Sequence, residues 1–142
     1  MNRDFIASAS ILIERPVEVI WNALLDPEQI KLYFFGVEVE TTWKVGSPII
    51  YRGAWDGNTF EDKGTILEVV HGQKLVSNYW SGFSGLPDEP KYYQNVCYEL
   101  MSNPRGTTLS VTQDNLPSEE KAEQVQKDWM GVLSSMKKLL EE

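Results

Sequence analysis

The sequence predicts an α+β domain in which a curved antiparallel sheet wraps around one long C-terminal helix. Three observations carry that expectation. Short β-type runs separated by turn residues occupy positions 37–114. An apolar stripe at helical spacing runs through the last two dozen residues. Two shorter helical stripes stand between the first strand and the rest, and an antiparallel sheet with one apolar face needs a helix long enough to cover it.

Residues 5–14 are rich in β-branched and apolar side chains and read as the opening strand. Pro16 suits the first position of a helix, where its missing N–H costs nothing. Val17, Ile20, Trp21, Leu24 and Leu25 then recur at helical spacing. Asp26-Pro27 interrupts and restarts a second short helix through Ile30 and Phe34, which Gly36 ends. Strands are expected at 37–42, 47–53, 62–70, 74–80, 92–101 and 107–114. Between them lie Val45-Gly46-Ser47-Pro48, Asp56-Gly57-Asn58, His71-Gly72 and Asn103-Pro104-Arg105-Gly106, all turn-forming. Connections this short favour an antiparallel meander. Pro117-Ser118-Glu119-Glu120 opens the last helix with acidic residues at its positive end. Val125, Trp129, Val132, Leu133, Met136 and Leu140 fall on one face of it.

At 142 residues the chain reads as one domain, 1–142. A chain of this length buries roughly 68–70% of its unfolded surface, enough to dispense with disulfides or structural metal. Thirteen basic and twenty-one acidic residues leave a net charge of −8, which disfavours nucleic acid and anionic membranes as partners. The N-terminal segment lacks a signal-peptide core, its longest apolar run being Ile11-Leu12-Ile13. No run approaches the roughly 20 apolar residues of a membrane helix. With a single cysteine, Cys97, the expectation is a cytoplasmic protein.

Sixteen residues are aromatic, and many fall where sheet and helix must meet. A concave sheet gripping a helix tends to leave a cleft, and apolar clefts with a few polar anchors are ordinary small-molecule sites. The candidate ligand-binding set is Phe34, Tyr51, Trp55, Tyr79, Trp80, Val96, Tyr98, Trp129 and Leu133. Strand alternation turns Val96, Tyr98 and Leu100 one way and Asn95, Cys97 and Glu99 the other, with Leu109 and Val111 opposing Ser110 and Thr112. The register of 74–80 stays open, since Tyr79 and Trp80 are both candidates for burial. Residues 81–93 form a long connection that reads either as a lid with Phe83 or Leu86 at its tip, or as an exposed loop.

Signals for catalysis are sparse. His71 is the sole histidine and sits in a turn, so no zinc ligand set can be assembled from histidine and cysteine. Cys97 has no nearby histidine base in the sequence. No phosphate-cradling glycine motif is present. Asp56, Glu61 and Asp62 read as solvated charges near strand ends. No catalytic residue, metal or cofactor is expected.

The order of elements, with IERPVEVIWNALLDPEQIKLYFFG at 13–36, Val45-Gly46, the run from Gly64 to Val69, Lys74-Leu75-Val76 and Tyr79-Trp80, resembles the START-like, or SRPBCC, superfamily. Within it the likeness is to bacterial relatives of the C-terminal domain of the activator of the 90-kDa heat-shock-protein ATPase. The resemblance implies the helix-grip fold and spans nearly the whole chain. Such relatives often carry two glycines where this chain has Gly46-Ser47, a turn variation. The fold hosts carriers, cyclases, receptors and chaperone activators, so it does not set the function. The leading expectation is a binding protein for a small, largely apolar, lipid-like or aromatic ligand. The alternatives are a surface interaction with an ATPase chaperone and a cyclase- or hydrolase-type enzyme using cleft tyrosines and a carboxylate. Monomer and homodimer are both compatible with the sequence.

Overall fold

In the computed structural model, which describes residues 5–55 and 57–141, the strands form one antiparallel sheet. Among the described residues they are β1 (Ala7–Ile13), β2 (Glu38–Glu40), β3 (Pro48–Trp55), β4 (Asn58–Val70), β5 (Lys74–Tyr79), β6 (Gln94–Asn103) and β7 (Gly106–Gln113). Their order across the sheet is β1-β7-β6-β5-β4-β3-β2. From β2 to β7 each strand therefore lies beside its neighbour in sequence, the expected meander, and β1 closes onto β7. Helices α1 (Val17–Leu25) and α2 (Pro27–Tyr33) follow β1, and α3 (Glu119–Glu141) ends the chain.

The local chemistry matches the sequence logic at most ends. Asp26 caps α2, its carboxylate accepting from the Glu28 N–H at 3.0 Å and from Gln29 Nε2 at 3.0 Å. Pro16 stands one residue ahead of α1 rather than inside it. After α2, Gly36 at φ +87° donates its N–H to the Lys31 carbonyl, a left-handed exit that glycine permits without strain. Ser118 Oγ accepts the Lys121 N–H at 3.1 Å and so caps α3.

Strands β3 and β4 run further than expected, pairing out to Trp55↔Asn58 instead of stopping at positions 53 and 62. Asp56, one residue of the anticipated turn, lies outside the described residues. The extension is stabilised by Phe60, which sits opposite Gly53 in register. A Cβ on Gly53 would come within 2.7 Å of the Phe60 ring, so the glycine provides the seat for the aromatic side chain.

One face of the sheet carries Ile49, Tyr51, Asp62, Ile66, Leu75, Ser77, Val96, Tyr98, Leu109 and Val111. The alternation anticipated for β6 and β7 is present, with Val96, Leu109 and Val111 buried. The open register of β5 resolves through its pairs with β6: Leu75, Ser77 and Tyr79 share the face of Tyr98, Val96 and Gln94. A register shift between Ile66 and Glu68 keeps Val69 on that face opposite Leu75.

The C-terminal half of α3 is clamped to β1. Leu133, Met136 and Leu140 are buried in the core there. Lys137 Nζ donates to the Leu12 carbonyl at 2.8 Å, Arg15 donates to the Leu140 carbonyl at 3.0 Å, and the Glu14 N–H donates to Glu141 at 2.8 Å. No helix among the described residues is long and apolar enough to cross a membrane.

Gly64 in β4 marks the tightest backbone approach, since a Cβ there would lie 1.8 Å from the Asn78 carbonyl oxygen. Gly64→Ala must push β4 and β5 apart and is expected to cost about 3 kcal/mol. Chemical denaturation of the variant measures this, and an unchanged midpoint would contradict the packing.

Candidate functional site

Away from the clamp, the N-terminal half of α3 stands off from the sheet and leaves a cavity of about 880 Å³. That is within the range of pockets that enclose a drug-sized molecule. A second void, beneath Tyr33, Phe34 and Tyr98, is only about 20 Å³ and has room for a single water.

Seven of the nine candidate residues line the large cavity: Phe34, Tyr51, Tyr79, Trp80, Val96, Tyr98 and Trp129. Leu133 does not, because it is fully buried in the core and the cavity wall is formed by Val125, Trp129 and Val132. Trp55 ends β3, and its side chain, like that of Phe83, lies outside the described residues. Sequence reasoning passed over Phe60, Asp62, Gln94, Gln113 and Leu116, which also contribute. Counting back in twos from the inward Ile66 would have found Asp62 and Phe60.

The rings meet edge to face. Trp129 contacts Phe34 at 5.8 Å and Tyr98 at 5.6 Å between centroids, with interplanar angles of 86° and 88°. Trp129 Nε1 donates to Gln113 Oε1 at 2.9 Å, and Gln113 Nε2 donates to Gln94 Oε1 at 2.5 Å. This chain of amides satisfies the indole and fixes its tilt. The connection 81–93 also borders the cavity, through Ser84, Leu86 and Tyr92. It is tied at both ends. Trp80 Nε1 donates to the Leu86 and Pro87 carbonyls, and Asn115, in left-handed backbone at φ +55°, donates to the Lys91 and Tyr93 carbonyls.

Asp62 corrects the expectation of a solvated turn charge. It lies within β4, faces inward and is 6% exposed. Tyr79 donates to its Oδ2 at 2.5 Å, while its Oδ1 has no partner. Glu61, one position earlier, points outward to Arg52 as anticipated. His71 is exposed against Glu18 and Trp21, and Cys97 lies on the outer face of β6. Burial, with Glu99 nearby, pushes the Cys97 thiol up and keeps it protonated.

Burial also pushes the Tyr51 phenol up to about 12, with Asp62 adding to the shift and a hydrogen bond from Ser77 opposing it. Tyr79 is raised further, first by burial and then by the Asp62 charge. Both hydroxyls therefore remain neutral donors at neutral pH. A group whose folded value exceeds its unfolded one contributes stability below the unfolded value and loses it as pH rises through the folded one. Stability is thus expected to fall as pH climbs from 10.0 toward about 12. Spectrophotometric titration checks this: tyrosine ionisation in the native chain should lag that of the denatured chain. Coincident curves would contradict the buried placement.

Three comparisons bear on relatives. A solution structure of a protein from Cytophaga hutchinsonii is 38% identical, with a TM-score of 0.85, covering 99% of this chain and 97% of that one. A crystal structure from Chromobacterium violaceum is 20% identical, with a TM-score of 0.79 and coverage of 96% and 97%. The Aha1 dimer from Colwellia psychrerythraea shares the fold at 16% identity and a TM-score of 0.74, covering 95% of each chain. No curated protein matches the sequence. The family model described as Activator of Hsp90 ATPase homolog 1-like protein matches residues 14–141. With nearly the whole chain inside that match and a helix-grip sheet to go with it, this protein belongs to the Activator of Hsp90 ATPase homolog 1-like family.

Proposed function

We propose that the chain is a cytoplasmic binding protein for a small, largely apolar ligand with ring or lipid-like character, held between the sheet and α3. The observation that carries this reading is the cavity of about 880 Å³ walled by Phe34, Tyr51, Tyr79, Val96, Tyr98 and Trp129. A void this large exposes apolar surface inside the fold, and filling it removes that surface from water at about 25 cal/mol per Å². The rings are positioned independently of any ligand: Trp129 by Gln113, Tyr79 by Asp62, and Phe34 and Tyr98 by the indole edge. A preformed wall spares the ligand the cost of ordering it.

Membership of a family described by activation of a heat-shock ATPase supports a second reading, contact with an ATPase chaperone through the outer surface. That contact would not depend on the cavity. The two readings separate in one pair of assays.

Titration with the neutral fluorescent probe N-phenyl-naphthylamine is expected to give saturable binding and a mass-action rise in melting temperature. Val96→Phe, which projects a ring into the void, should weaken binding by about tenfold or more while the protein still melts cooperatively. An unaltered affinity in Val96→Phe would put the probe elsewhere. Stimulation of the host chaperone's ATPase that survives Val96→Phe, with no probe binding by wild type, would favour the second reading.

A further inference from the structure

Asp62 is the anomaly of the cavity. Its carboxylate sits between Tyr51, its register partner on β3, and Tyr79 on β5, and receives one hydrogen bond from the described residues. Ser81 in turn hydrogen-bonds the Tyr79 hydroxyl, so that phenol's own needs are met. Oδ1 is enclosed and has no partner among the described residues. A buried carboxylate is ordinarily paired with a cation or held by several donors.

No basic side chain from the neighbouring strands supplies that cation. Lys63 is already committed to Asp88 and lies over the Trp80 ring. Arg52 is on the other face, held by Glu40 and Glu61. The lysines that do border the cavity, Lys121 and Lys127, stand on α3, exposed to solvent across from the strands. Around Asp62 there are instead the rings of Tyr51 and Tyr79, 5.9 Å apart. Aromatic faces attract cations, and a net charge of −8 favours their approach.

We propose that Asp62 is the anchor for the charged end of the ligand, and that the cavity takes a cationic amphiphile: a primary or secondary ammonium on an apolar, ring-bearing body. This rests on the cavity-binding reading and narrows it to a chemical class. A small turn of the Asp62 side chain brings Oδ1 to the ammonium beside Tyr51 and Tyr79, and the apolar body extends toward Trp129. An ammonium supplies both the missing donor and the missing charge. An alcohol supplies only the donor. A carboxylate places like charges together where water screens them poorly.

The test displaces N-phenyl-naphthylamine from the full chain at neutral pH with four matched compounds: phenylbutylamine, phenylbutanol, phenylbutyrate and butylbenzene. The amine is expected to bind about tenfold or more tighter than the alcohol, with the acid weakest. Asp62→Asn, similar in shape, should bring the amine level with the alcohol. Tyr79→Phe, which leaves the carboxylate in place, should preserve the preference for the amine. If Asp62→Asn fails to fold, the wild-type order decides alone. An acid that displaces as well as the amine, or an amine preference that survives Asp62→Asn, overturns the proposal. If butylbenzene matches the amine, the cavity reading stands and the anchor falls. If neither the probe nor any competitor binds, both fall.

Discussion

Everything distinctive here follows from how one helix is attached to one sheet. At its C-terminal half, α3 is clamped to β1 by buried apolar contacts and by bonds from Lys137, Arg15 and the Glu14 N–H. Leu133 and Met136 fill the interface there. Close packing of α3 on β1 at one end leaves room between α3 and the sheet at the other. Interiors ordinarily pack to crystal-like density, and a void as large as the one under Val125 and Trp129 exists only where rigid elements hold their distance. The clamp at one end and the meander of β3 to β6 on the far side are those elements.

The polar groups around the void divide into two kinds. Trp129, Gln113 and Gln94 satisfy one another and set the wall. Asn115 holds the 81–93 connection by giving its amide hydrogens to two backbone carbonyls, while its buried Oδ1, away from the cavity lining, has no partner among the described residues. Asp62 belongs to the other kind, with Tyr79 as its one donor among the described residues. Internally closed networks are structural, whereas an open valence on a charged group beside a cavity is a recognition element in waiting. The distinction lies in which valences are met: the indole and the glutamine amides pair among themselves, whereas one carboxylate oxygen of Asp62 does not.

Much of the architecture was legible from periodicity. The alternation of Val96, Tyr98, Leu109 and Val111, and the helical spacing from Val125 to Leu140, each depend on neighbours along the chain. The register of β5 was not, because Tyr79 and Trp80 are both large and amphipathic, and only pairing with β6 tells them apart. Asp62 was misread for a related reason. The Asp-Gly-Asn turn beside it suggested a strand end, whereas Gly53 accommodates the Phe60 ring and carries the hairpin four residues further. Leu133 shares a helical stripe with Trp129 and Val132, yet it meets the core while they meet the cavity.

The sequence by itself determined the class, the order of elements and which aromatic residues gather near the sheet–helix junction, since these follow from side-chain periodicity and turn chemistry within short windows. Tertiary structure alone decided that the junction opens at one end, that β4 carries a carboxylate inward, and which apolar residues pack and which line space. Those outcomes depend on contacts between residues far apart in the chain, such as Lys137 with Leu12 and Asp62 with Tyr79, whose distances no local pattern encodes.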